Sequence, residues 1–201
     1  MKIFGLLLFL ILPETCLAQF EVTKLDKNSV PKNVQYNGNI VQAVRWTDST
    51  GDNIVILTAT DKTPSKGPIG GSDAALYAYH YLVSGDSIKQ TWKVYDYVED
   101  CDVDMDLYFV DKTFAVTDLN KDGKAEVWIM YKNSCRGDVS PAPMKIIMYQ
   151  DNKKFAVRGT TKVPGNGGEF TFDDAFKKAP AEFRQYAEKL WKQHKVETWQ
   201  Q

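Results

Sequence analysis

Thr117-Asp118-Leu119-Asn120-Lys121-Asp122-Gly123-Lys124-Ala125-Glu126-Val127-Trp128-Ile129 is the stretch that decides how this chain folds. Alternating apolar and polar residues run into it from about residue 113 and out of it to about 132, so it reads as strand, tight polar loop, strand. Within the loop, Asp118, Asn120, Asp122 and Glu126 offer side-chain oxygens at positions 1, 3, 5 and 9. The carbonyl of Lys124 is available at position 7, and Gly123 at position 6 permits the sharp turn. A set of hard oxygens at these positions is what calcium takes. Ile129 stands where an EF-hand needs an acidic residue, and strands rather than helices flank the loop, so this is not an EF-hand. Asp, Asn and Gly are also what any tight turn selects, and a plain polar turn stands beside the calcium reading. One bound calcium here would be structural, pinning a hairpin.

Outward from the loop, the same alternation continues. Val, Ile, Tyr and Trp mark strands at about 40–47, 53–60, 74–83, 88–98, 106–109, 113–117, 125–132, 144–150 and 153–159. Ser49-Thr50-Gly51-Asp52, Ser84-Gly85-Asp86 and Gln150-Asp151-Asn152 punctuate them as turns. Thr47-Asp48 matches Thr117-Asp118 at an offset of 70, and Tyr79 matches Tyr149 at that offset, which suggests two diverged repeats over 38–98 and 106–160. With a gap in the turn, Asn53 to Leu57 lies over Ala125 to Ile129. The arrangement resembles the calcium loops of FG-GAP repeats, which open four-stranded propeller blades. Two copies cannot close a propeller, so the expected fold is mainly β: two packed antiparallel sheets with a C-terminal helix.

That β domain is expected over 19–165, with 166–201 forming a helical segment packed on it. Thr171-Phe172-Asp173-Asp174 offers a capping box, Pro180 a kink or fresh first turn, and Phe183, Ala187, Leu190 and His194 recur at helical spacing. Residues 61–72 carry too much Gly and Pro for a strand interior and read as a long loop.

At the N-terminus, Met1-Lys2, an apolar run from Ile3 to Leu12 and Cys16-Leu17-Ala18 have the parts of a secretory signal peptide, residues 1–18, cleaved to leave Gln19 first. The apolar run is too short to span a bilayer as a helix of about 20 residues, so no transmembrane segment is expected in the mature chain. The net charge of −1 at pH 7 gives no broad electrostatic attraction to nucleic acid or an anionic membrane. Partners must be met through local sites.

Cys16 leaves with the signal, so Cys101 and Cys135 remain as an even pair in an oxidising compartment and are expected to be bridged. A closed loop of about 35 residues stabilises by about 4 kcal/mol on the chain-entropy account. Beside the first cysteine, Asp102, Asp104 and Asp106 share one side of an extended chain, either as a second cation site or as a solvated edge that discourages aggregation. Beside the second, Arg136-Gly137-Asp138 spells the integrin-binding tripeptide. It is either a binding loop or a brace in which Arg136 approaches the acidic run.

For catalysis the sequence offers little. Two histidines make no His-Glu-x-x-His cluster, and no Gly-x-Ser-x-Gly or phosphate loop occurs. His80 lies in an alternating strand, Tyr77-Ala78-Tyr79-His80-Tyr81, where packing is the ordinary explanation. The face carrying Tyr77, Tyr79, Tyr81, Trp92, Tyr95 and Tyr97 is either a cross-strand ladder or a stacking surface for sugar rings.

Taken together, Glu99-Asp100-Cys101, Thr117-Asp118 through Glu126-Val127-Trp128, Cys135 to Pro141, Lys145 and Arg158-Gly159 resemble a group of small secreted proteins of Gram-negative bacteria labelled as surface polysaccharide biosynthesis proteins. The resemblance covers residues 95–160. It implies a cell-envelope setting, in the periplasm or on the outer surface, and two linked cysteines, and it supplies no catalytic residues. The function expected is a binding or structural module of the envelope, with a polysaccharide or an envelope protein as its partner. An enzyme or accessory factor of surface polysaccharide metabolism is the alternative.

Overall fold

The computed structural model describes residues 20–197; the segment read as a signal peptide, with Cys16, lies outside them. Six strands build the first sheet: β1 (Thr23–Lys24), β2 (Asn39–Asp48), β3 (Gly51–Ala59), β4 (Thr63–Pro64), β5 (Ser72–Ser84) and β6 (Ser87–Cys101). Its body is the antiparallel meander β2-β3-β5-β6, with β1 on the edge of β2 and β4 on the start of β5. Four further strands, β7 (Met105–Phe109), β8 (Ala115–Thr117), β9 (Glu126–Cys135) and β10 (Pro143–Gln150), open the second sheet. Strand β11 (Lys153–Thr160) follows, then the short pair β12 (Lys162–Val163) and β13 (Asn166–Gly167), and β14 (Phe170–Phe172) closes the sheet beside β11. Strands β7 and β8 divide one edge of β9 between them, β7 on its C-terminal half and β8 on its N-terminal half.

Each sheet is therefore a four-stranded meander, and the two pack face to face. Val44, Trp46, Val55, Leu57, Leu76, Ala78, Trp92 and Val94 from the first meet Val116, Val127, Ile129, Tyr131, Ile147, Tyr149 and Ala156 from the second. The first hairpins of the two sheets keep the facing that the repeat alignment gives them, with Val55 and Val127, and Leu57 and Ile129, all pointing inward. The later strands do not: Tyr79 points outward while Tyr149 points inward. Likewise Trp92 points inward while Phe155, which lies near it in the alignment once a longer hairpin is allowed for, points outward.

Both outer faces are covered as well. The N-terminal segment lays Val30 and Val34 over Ala43, Ile54, Ile56, Tyr79 and Tyr81. On the other side, Phe176, Phe183, Ala187, Leu190 and Trp191 cover Trp128, Met130, Met144, Ile146, Met148, Phe155 and Val157. Four layers result: N-terminal segment, first sheet, second sheet, helices.

The helical part starts later than the sequence reading placed it. Strand pairing runs on to Phe172, and Thr171 lies in β14 opposite Arg158, so it cannot cap a helix. Asp173 does so instead, its carboxylate accepting the Phe176 N–H at 2.8 Å to start α1 (Asp174–Lys177). After Pro180 the chain restarts as α2 (Ala181–His194). Its buried stripe is Phe183, Ala187, Leu190 and Trp191, and His194 is only half-buried at its end. No helix among the described residues is long and apolar enough to cross a membrane.

Candidate functional site: the hairpin loop between Thr117 and Glu126

Strands β8 and β9 pair from Ala115 and Trp128 to Thr117 and Glu126, so residues 118–125 must reverse the chain. They do so through side chains folded back on the backbone. Asp118 accepts the N–H groups of Asp122 at 3.0 Å and Gly123 at 3.1 Å. Asn120 accepts from the Asp122 N–H at 3.3 Å and donates to the Asp122 carboxylate at 2.9 Å, and Asp122 accepts the Lys124 N–H at 2.9 Å. Gly123 takes φ +78°, the left-handed conformation that its place in the turn requires.

Glu126 is the unusual member. Its side chain is completely buried and carries no cationic partner among the described residues. One oxygen accepts the Thr117 hydroxyl at 2.7 Å and the Leu119 N–H at 2.9 Å. Burial, reinforced by the charges of Asp118 and Asp122, pushes its carboxyl up to about 7 despite those two hydrogen bonds. Lys124, the nearest base in sequence, turns its ammonium to Asp151 instead.

Gln150 completes the loop, and the sequence reading did not single it out. Its side-chain amide lies 3.1 and 3.3 Å from the two Asp122 oxygens and 3.4 Å from the other Glu126 oxygen. Tyr149 pairs with Val127, which sets Gln150 beside the start of β9. A strand predicted over 144–150 and a second over 125–132 contain that neighbour only once their register is known. The side chains of Asp122 and Glu126 thus meet around one amide, with Asn120 bonded to Asp122 beside them. Among the described residues no three Asp, Glu, His or Cys side chains are gathered closely enough to enclose a metal ion in this conformation.

A second loop, the turn between β2 and β3, is locked onto the first. Asp48 accepts from the Ala125 N–H at 3.0 Å and the Trp46 indole at 3.1 Å with one oxygen. With the other it takes the Thr50 N–H, the Thr50 hydroxyl and the Asn53 amide. Burial raises the Asp48 carboxyl, but the bonds from Thr50, Trp46 and Ala125 outweigh it and hold the group below the usual carboxylate range. The Ser49 N–H donates to the Gly123 carbonyl at 2.9 Å. His80 lies beneath, its Nε2 3.0 Å from the Asn53 oxygen and its ring sandwiched between Trp46 and Trp92. Burial pushes it down to about 4, so it packs there as a neutral, half-buried ring.

At the other end of the sandwich, Cys101 and Cys135 form a disulfide with Cα atoms 5.8 Å apart. The acidic run does not converge: Asp102 and Asp104 are exposed, while Asp106 pairs with Arg136 at 2.7 Å. Arg136 is turned inward, its side chain 9% exposed, against Asp106, Glu197 and the Ser140 carbonyl. Asp138 caps Ser140. Gly137 and Asp138 are exposed while Arg136 is turned in, where it braces the loop against Asp106.

Tyr77, Tyr95 and Tyr97 form a ladder on the outer face of the first sheet, with ring centroids 5.0 and 5.1 Å apart and planes within 25°. Lys93 sits over the Tyr77 ring at 4.9 Å. The rings stack on one another and on Lys93 as a cross-strand ladder, and Tyr95 and Tyr97 stay exposed at its solvent side. Trp92 belongs to the opposite, inner face. Comparison with known protein families, with curated proteins and with solved structures finds no match for this chain.

Proposed function

We propose that this chain is a secreted binding or structural β module of the bacterial cell envelope, in the periplasm or on the outer surface, whose hairpin 118–126 is braced by one calcium ion. The observation that carries the reading is a set of three carboxylates, Asp118, Asp122 and Glu126, turned into one hairpin with no ion pair at contact distance among the described residues, one of them fully buried. Such a group is costly as it stands. A cation of charge two that takes six to eight oxygens offsets that cost, and each carboxylate keeps lone pairs beyond those given to N–H groups. Binding would draw Asp118, Asn120, Asp122 and Glu126 inward, with the Lys124 carbonyl beside them. Because Asp48 and Ser49 are hydrogen-bonded to this loop, the ion would brace both sheets at once. The partner held by the braced module is a polysaccharide or an envelope protein.

Calorimetric titration of chelator-treated protein with calcium tests this. One site per chain is expected, with a melting temperature that rises with free calcium, by about 2.7 kcal/mol of stability at a hundredfold excess over Kd. Glu126→Gln should abolish the response. A melting temperature that is the same in excess calcium and in chelator overturns the reading.

A further inference from the structure

The sandwich stands open along the side where the first strand of each sheet departs from regular pairing. In the first sheet, β2 carries a bulge at Val41, between Ile40 and Gln42, and β1 covers β2 only at Val44 and Arg45. In the second, strand pairing along the edge of β9 is interrupted between Phe109 and Ala115, where only the Val110 N–H to Met130 carbonyl bond continues it and Lys112 takes φ +60°. Bulges re-aim side chains, and a left-handed lysine is a strained conformation. Between these two irregularities lies a cavity of about 510 Å³, closed at one side by the end of α2. That volume falls within the roughly 300–1,000 Å³ of small-molecule sites.

Its lining has two chemistries. Val41, Leu76, Leu107 and Phe109 supply an apolar wall, and Val41 and Val196 leave 56% and 60% of their surface exposed on it. Val196 is fixed there by backbone bonds on either side: the Lys162 N–H donates to the Lys195 carbonyl, and the Glu197 N–H donates to the Lys162 carbonyl. The polar contribution centres on Lys132, whose side chain is 5% exposed. An ammonium has three N–H donors. Glu197 and the Tyr108 hydroxyl take two of them, and among the described residues no acceptor is placed for the third. Gln193 and His194 add neutral hydrogen-bonding groups, and Asp111 is the one acidic side chain on the lining.

We infer that this cavity binds a small amphipathic monocarboxylate, with its alkyl chain against Val41, Leu76, Leu107 and Phe109 and a carboxylate oxygen accepting from the Lys132 ammonium. The apolar wall selects the chain. Lys132 is the one cationic side chain on the lining, and with Glu197 already paired to it and Asp111 beside it the site takes no more than a single negative charge. None of residues 118–126 takes part, so this site and the calcium brace stand or fall separately.

Calorimetric titration with decanoate, kept below its micelle-forming concentration, tests the assignment. One saturable site is expected, with decylammonium binding at least about tenfold more weakly. Val41→Glu and Val196→Glu, both at exposed positions where folding tolerates a charge, should each weaken decanoate by at least about tenfold with the melting temperature kept. Ile69→Glu, at a position equally exposed but off the lining, should leave binding unchanged. Three results overturn the inference: no saturable binding of decanoate, equal binding of decanoate and decylammonium, or binding that both valine variants leave intact.

Discussion

The carboxylate of Asp48 accepts a hydrogen bond from the backbone N–H of Ala125 at 3.0 Å, across 77 residues of chain. The bond joins the first turn of one sheet to the first turn of the other. With the Ser49 to Gly123 bond beside it, the two hairpins behave as one unit.

Asp48→Ala should therefore cost more than an ordinary turn substitution. It strands the Trp46 indole, the Ala125 N–H and the Asn53 amide in a partly buried junction, and a loss of about 3 kcal/mol is expected. Because the Asp48 carboxyl is held low in the fold, its contribution is present above the pKa of the unfolded chain and fades as pH falls through the folded value. Urea unfolding at pH 7 measures the loss; a change under about 1 kcal/mol would show the junction to be dispensable.

Glu126 predicts the opposite pH dependence. Its folded value of about 7 lies above the ordinary 4.5, so the fold favours the protonated acid. The stability it contributes is complete below about pH 4.5 and is lost as pH rises through 7. Calcium-free protein should lose about 3 kcal/mol between pH 5 and pH 8 on this account, an order-of-magnitude figure. Glu126→Gln should flatten that slope. Melting curves in chelator at the two pH values decide it.

Arg136 and Asp138 should separate sharply despite lying two residues apart. Arg136→Ala leaves Asp106 without its partner and removes one of the two cations facing the buried Glu197, with Lys132 remaining, and should cost about 2–3 kcal/mol. Asp138→Ala removes an exposed cap on Ser140 and should cost about 1 kcal/mol or less. Denaturant midpoints of the two variants would coincide if the tripeptide were merely a surface loop.

Replacing both Cys101 and Cys135 by serine should lower stability by about 4 kcal/mol, since the bridge closes a loop with a sequence separation of 34. The midpoint of the oxidised protein should then shift with reductant to that of the double variant.

What the sequence determined alone was local. Strands over 40–47, 53–60, 74–83 and 88–98 were legible because alternation and turn residues act within a few positions. The order of donors from Asp118 to Glu126, and the even pair Cys101 and Cys135, were legible for the same reason. Alternation loses its meaning where both faces are covered. From Glu126 to Lys132 every residue is buried, so nothing in β9 marks which face meets the other sheet and which meets the helices. Register and packing between distant segments decided the rest: Gln150 beside Glu126, Asp48 on Ala125, Arg136 turned inward, and the cavity at the bulge of Val41. Each of these depends on two segments arriving at one place, and the free energy that brings them there is the burial of a shared core rather than a preference of either segment.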